Sequence, residues 1–254
     1  MDIAAVILDL ATAGTADRAS VGGKAGVLGE LATAGFPVPP GVVVTAGALD
    51  DPGGLDVRLA DAARRVGVDR YAVRSSGAAE DLPGASYAGL YETYLNVSPD
   101  RLGQAVRGCF AAATAERVSA YHRWHGGGPA AMAVLVQAMV DPVAAGVAFT
   151  AHPVTGDRDQ TVVTAVAGLG DPLVSGEAVG EEWTITARDA TVTRPVPAAS
   201  RVLTAGQAQA VADLARRVAD RYGRPQDIEW AVDRDGRLWL LQARPMTAVP
   251  DPVS

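Results

Sequence analysis

PQDIEWAVDRDGRLWLLQARPMT, residues 225–247, decides how this chain is read. Its centre, Asp235-Gly236, is a strong signal for a two-residue hairpin turn, because that pair tolerates the positive φ angles a tight turn requires. With the turn there, Val232 lies opposite Trp239, Trp230 opposite Leu241 and Ile228 opposite Ala243. That face is wholly apolar and must be core. On the other face Glu229 lies opposite Gln242, with Arg244 two residues on and Leu238 and Leu240 alongside. A carboxylate and a side-chain carbonyl paired across strands, beside an arginine, suit Mg²⁺ and phosphate, since hard cations take oxygen ligands. The same pattern also describes a solvated sheet face, although two leucines on it point to partial cover.

Working outward, VGGKAG at residues 21–26 holds the only lysine, Lys24, in a chain with 22 Lys+Arg. The chain is rich in Ala, Gly, Val, Arg, Asp and Pro, a composition that replaces lysine by arginine wherever any solvated cation serves. A retained lysine marks either chance or a site needing a compact ammonium on a flexible stem. The 254 residues, 48% hydrophobic and 20% charged, can bury a large core as one domain or two lobes. A formal charge of -7 argues against nonspecific binding to nucleic acid or an anionic membrane. Cys109 is the single cysteine, so no internal disulfide forms. The N-terminal MDIAAVILDL lacks a basic stretch and reads as a first strand or helix, and no apolar run is long enough to span a bilayer. The expected location is cytoplasmic.

Periodicity places a loop feeding a helix across residues 20–35, with Lys24 at the helix start, then a strand at Val42–Thr45 and a helix within 50–69. A strand at Tyr71–Arg74 enters RSSGAAEDLPGASYAG, and a second strand runs from Tyr91 to Val97. A connection that long is often functional, and its glycines and hydroxyls could converge on phosphate; as a lone Gly/Ser-rich segment it could equally be a surface loop. A helix spans 99–125, a buried strand follows the GGGP at 126–129, and a Thr-initiated helix covers 204–222. Two lobes are expected, 1–136 and 137–254.

Six blocks in order carry a resemblance: VGGKAGVLGELATAGFPVPPGVVVTAGAL, YAVRSSGAAEDLPGASYAGLYETYLNV, VLVQAMV, AGVAFTAHPVTG, AGLGDPLVSGEAV and the closing hairpin. Together they resemble the N-terminal ATP-binding, or ATP-grasp, domain of phosphoenolpyruvate synthase, pyruvate phosphate dikinase and rifampicin phosphotransferase. The resemblance implies an α+β ATP-grasp fold, two α/β lobes with the nucleotide between them, and ATP and Mg²⁺ as cofactors. It implies that Lys24, Arg74, Arg117 in ATAERVSAY, and Arg244 contact phosphate, and that Glu229 and Gln242 hold the metal. Gln137, Met139 and Val140 would line the base pocket. Ser75 and Ser76 would bind phosphate, and the loop from Leu82 to Gly89, with Gly84, Ala85 and Ser86, would close over it.

The chain departs from the family pattern in Gly77-Ala78 where Ala-Thr is frequent, in His152 of FTAHP where an acid is common, in Thr164 where a glutamate is frequent, and in a segment between residues 50 and 70 shorter than the resemblance implies. The family's acceptor histidine, in a TSHAA-type motif on a swivelling domain, has no counterpart among His122, His125 and His152. His122 and His125, at i,i+3 spacing, read as partners of a helix C-terminal dipole rather than a metal pair, and His152 as a loop residue. The expected activity is the ATP half-reaction of a phosphoenolpyruvate-synthase-like phosphotransferase, delivered to a separate histidine-domain phosphocarrier and onward to a small-molecule acceptor. The alternatives are a free-standing ATP-grasp kinase or ligase, and a non-catalytic nucleotide-sensing module.

Overall fold

The computed structural model describes residues 6–77, 92–121, 132–186, 189–194, 196, 201–247 and 249–250, without the side chains of 52, 114–121 and 174. The chain divides into two compact units, Met1–Met139 and Val140–Ser254. The division expected after residue 136 falls inside a strand, and the chain crosses between units three residues later.

The first unit is built on an antiparallel sheet of β1 (Ile7–Asp9), β2 (Gly41–Thr45), β3 (Tyr71–Gly77), β4 (Thr93–Val97) and β5 (Met132–Ala138), in the order β1-β2-β5-β3-β4. Helices α1 (Leu10–Ala13), α2 (Arg18–Val21) and α3 (Gly23–Thr33) precede β2, α4 (Pro52–Val66) precedes β3, and α5 (Leu102–Tyr121) follows β4. Val42, Val44, Val73, Val134 and Val136 form one core with Leu55 and Leu59 of α4 and Leu102 and Val106 of α5. Strand alternation sends Val43 and Leu135 to the opposite face, where α2 and α3 pack on β2, β3 and β5. Cover on both faces explains why GVVVT and MAVLV are nearly continuous apolar runs.

Local signals set the helix ends. Asp51 accepts the Gly54 N–H (3.0 Å) ahead of Pro52, and α4 stops at Gly67 with φ +73°. Asn96, the only non-glycine residue at positive φ among those described, sits in β4 at φ 57°, near a one-residue offset against β3.

The second unit is a six-stranded antiparallel sheet of β6 (Pro142–Phe149), β7 (Thr161–Ala167), β8 (Glu181–Ile185), β9 (Ala190–Arg194), β10 (Gln226–Asp233) and β11 (Leu238–Pro245), ordered β11-β10-β6-β7-β8-β9. A short α6 (Asp171–Val174) follows β7, and α7 (Ala205–Tyr222) packs on β6 to β10. Thr204 and Gln207 form a reciprocal capping box at the start of α7, as expected of a Thr-initiated helix. Ahead of it, buried Glu181 on β8 accepts the N–H groups of Val202 and Leu203 (3.0 and 3.2 Å), tying the approach of α7 to the sheet.

Candidate functional site

In the first unit the candidate residues meet where the end of β3 touches the start of α3. Lys24 is the second residue of α3 and only 9% exposed, with Nζ donating to the Ser75 carbonyl at 3.2 Å. Burying an ammonium costs free energy, and the N-terminal end of a helix carries partial positive charge, so this is an unfavourable place for a cation. The same two features favour an anion beside it. Arg74 shares a sheet face with Ser76 by alternation, and Ser76 contacts α3, so Lys24 and Arg74 belong to the same side of the unit.

Ser75 and Ser76 do not present hydroxyls as expected. Ser76 is fully buried; its Oγ donates to the Val21 carbonyl (2.9 Å) and accepts the Ala25 N–H (3.0 Å). Ser75 is 1% exposed, and its Oγ donates to the Glu92 carbonyl (3.1 Å). A hydroxyl has one proton, and phosphate is an acceptor, so neither serine donates to phosphate while these bonds stand. Their work here is to hold β3 against α2, α3 and the start of β4.

In the second unit the hairpin keeps its central pair by a different route. The loop has three residues, Arg234, Asp235 and Gly236, with Gly236 at φ +78°. Asp233 causes this, since its carboxylate accepts the N–H groups of Asp235 (3.0 Å) and Arg237 (2.8 Å) and Trp239 Nε1–H (2.8 Å). The pairs next to the turn are therefore Val232 with Leu238, Ala231 with Trp239 and Trp230 with Leu240, one residue away from expectation. A bulge at Leu241 then restores the register, and Glu229 faces Gln242, Ile228 faces Ala243 and Asp227 faces Arg244. Leu240 lies fully buried with Trp230 on the core face, so the leucine cover expected over Glu229 is replaced by Ala231 and Trp239. A cross-sheet row continues from Glu229 through Val147 to Thr164 and Glu182.

A family model for the pyruvate phosphate dikinase AMP/ATP-binding domain matches residues 52–252. The chain belongs to this family. A probable phosphoenolpyruvate synthase of Methanothermobacter thermautotrophicus is 34% identical over 310 residues, covering 93% of this chain and 45% of that protein. A rifampicin phosphotransferase of Streptomyces sviceus is 41% identical over 206 residues, 70% of this chain and 23% of the relative. A prodigiosin-synthesizing transferase of Serratia marcescens is 34% identical over 302 residues, 98% of this chain and 34% of the relative. The chain thus spans less than half the length of these relatives. Among solved structures, N5-carboxyaminoimidazole synthase from Aspergillus clavatus, in complex with ADP and 5-aminoimidazole ribonucleotide, aligns distantly, with TM-score 0.48 and 9% identity over 90% of this chain and 46% of that one. The α+β class is that expected, with helices packed on a sheet in each unit, and the family match is to the expected ATP-binding domain.

Within this dikinase-type domain, sequence reasoning overlooked Asp227. Asp227 Oδ2 accepts both Nε and Nη2 of Arg244 at 2.8 Å, with the aspartate side chain 10% and the arginine 52% exposed. Burial pushes the Asp227 carboxyl above the usual range, partly opposed by the Arg244 guanidinium, while nearby Glu229 adds to the rise. The signal was present in DIEW, where Asp and Glu two apart share one strand face. Among the described residues no group of three or more His, Cys, Asp or Glu converges to hold a metal unaided. Glu229 and Gln242 alone make a two-oxygen set, which fits Mg²⁺ completed by phosphate and water rather than a dedicated protein cage.

Gln137 is 3% exposed, and its Nε2 donates to the Pro39 carbonyl (3.0 Å), while the Met139 N–H donates to the Arg70 carbonyl (2.9 Å). Both residues are thereby fastened into the first unit, and Val140 opens the second. Arg117 lies on α5, but its side chain is outside the described residues, as are Gly84, Ala85, Ser86, His122 and His125. His152 is a loop residue whose Nδ1 accepts the N–H groups of Val154 (3.3 Å) and Thr155 (3.2 Å), work an aspartate carboxylate could also do. No described helix is long and apolar enough to cross a membrane.

Proposed function

We propose that this chain binds ATP with Mg²⁺ and supplies the ATP half-reaction of a phosphoenolpyruvate-synthase-like phosphotransferase. The phosphoryl group goes to a histidine on a separate phosphocarrier chain and from there to a small-molecule acceptor. The observation that carries the reading is the cross-strand pairing of Glu229 with Gln242, kept in register by the Leu241 bulge beside the Asp227–Arg244 ion pair. Lys24 and its place at the start of α3 add the phosphate side.

Each residue has a role in that reading. Mg²⁺, held by Glu229 and Gln242, neutralises phosphate charge when bound. Lys24 and Arg74 bind and orient the phosphates. Arg244 in the second unit, steadied by Asp227, offers a guanidinium suited to phosphate. A histidine nitrogen attacks phosphorus, the bridging P–O bond breaks, and its electrons leave on the departing phosphate oxygen. These cations act by positioning and by compensating charge, which is most of what phosphoryl transfer asks of a protein.

Titration calorimetry tests binding, with ATP alone and with Mg²⁺ added. The expected result is micromolar-range ATP binding that tightens with Mg²⁺, and little Mg²⁺ uptake without nucleotide, because two protein oxygens do not complete its shell. Failure to bind any nucleotide at millimolar concentration removes the reading. Radiolabelled ATP followed by alkaline denaturing gels tests transfer. Base-stable label is expected on an added histidine-domain chain and not on this one. Label on this chain that disappears in His152→Ala would make it its own acceptor.

A further inference from the structure

Ser76 bonds the chain on both sides of Lys24. Its hydroxyl joins two helices at once, donating to the Val21 carbonyl at the end of α2 (2.9 Å) and accepting the Ala25 N–H in the first turn of α3 (3.0 Å). Between those contacts the chain turns through Gly22 at φ +76°, where a Cβ would stand 2.1 Å from the Ser76 carbonyl oxygen and 2.4 Å from its Oγ. The glycine therefore serves close approach as well as conformation. Lys24 lies between the two anchored residues, Val21 and Ala25, and its Nζ bonds the carbonyl of Ser75, the neighbour of Ser76. One buried hydroxyl thus ties the end of α2 to the first turn of α3, on either side of the only lysine of the chain.

We propose that Ser76 is a positioning residue for Lys24 and sets how the ammonium meets the nucleotide's phosphates without touching them itself. This rests on the ATP reading above. A serine that served only the fold would influence binding of every nucleotide part alike; one that positions Lys24 acts on the phosphates alone.

The test is a double-mutant cycle of Ser76→Ala and Lys24→Ala, read by calorimetric affinity for ATP and for adenosine. Losing the hydroxyl's two bonds should weaken ATP binding about tenfold while adenosine changes less than about twofold. In the Lys24→Ala background the serine substitution should leave ATP affinity unchanged. If Ser76→Ala fails to fold, Ser76→Cys keeps a weak donor in a slightly larger side chain, and should give a smaller loss confined to ATP. Equal weakening of ATP and adenosine, or a further loss of ATP affinity once Lys24 is gone, overturns the positioning role. If the parent binds ATP no tighter than adenosine, or Lys24→Ala leaves ATP affinity intact, the ATP reading fails first and takes this inference with it.

Discussion

Lys24 combines three circumstances that rarely coincide: burial, a helix N-terminus and the loss of every other lysine from the chain. The first two are unfavourable for a structural cation and suit a group meeting phosphate, and the third sets this lysine apart from the arginines that serve elsewhere. Lys24→Arg preserves charge but replaces a compact ammonium by a larger planar fork at a buried position. ATP affinity should fall by about tenfold or more. Parent-like affinity in that variant would mean that any cation serves. Arg244 in the second unit reads differently, because it is already clasped by Asp227. Sequence alone gives the residue types at both places. It does not reveal that the Ser75 and Ser76 hydroxyls are spent on backbone carbonyls, which depends on α2 and β4 arriving at β3.

At the scale of the element, the hairpin shows how two one-residue offsets cancel. Asp233 lengthens the loop by one residue and Leu241 adds one residue to β11, so Glu229 still faces Gln242. Glu229→Ala and Gln242→Ala should each weaken Mg²⁺-dependent ATP binding without unfolding the chain, and the double variant should lose less than the sum. Additive losses would mean that the two do not share an ion. The Asp227 carboxyl provides a pH test. Its folded pKa is raised, so the folded state holds the proton more tightly than the unfolded one, and stability falls as pH rises from about 4 through the raised value. Asp227→Asn cannot titrate, and its unfolding free energy should lose that decline in denaturant titrations across the same window. A slope equal to the parent's would place the pH dependence elsewhere.

At the scale of the molecule, two units each fold around their own antiparallel sheet. The first unit contains a natural reporter of its integrity. Cys109 on α5 is fully buried, its Sγ meets the Glu92 carbonyl at 3.6 Å, and burial pushes the thiol up to about 12. At pH 8 it is almost wholly protonated as well as shielded, and both suppress reaction. A disulfide thiol reagent should therefore label native protein only at the rate at which the first unit opens, and one thiol per chain should appear in denaturant. ATP should slow the native reaction, since a ligand bound only to the folded state suppresses opening. Rapid labelling of the native chain would show that α5 is not packed as described.

The order of the six blocks determined the α+β class and the family, and the residue types in them made Lys24, Glu229, Gln242 and Arg244 the candidates for the site. These were legible because alternation along a strand and the polarity at a helix start are local properties, carried by neighbours in the chain. Asp227 was equally local and was overlooked beside Glu229. What only the tertiary structure decided is where one-residue shifts fall and which hydroxyls are already occupied. A bulge at Leu241 costs no change in composition, yet a single residue of register exchanges the two faces of a strand. The partners of Ser75 and Ser76 come from segments as much as 55 positions away in sequence, beyond the reach of any local pattern. A hydrogen bond is settled by which group arrives within about 3 Å, and that is a property of the packed fold.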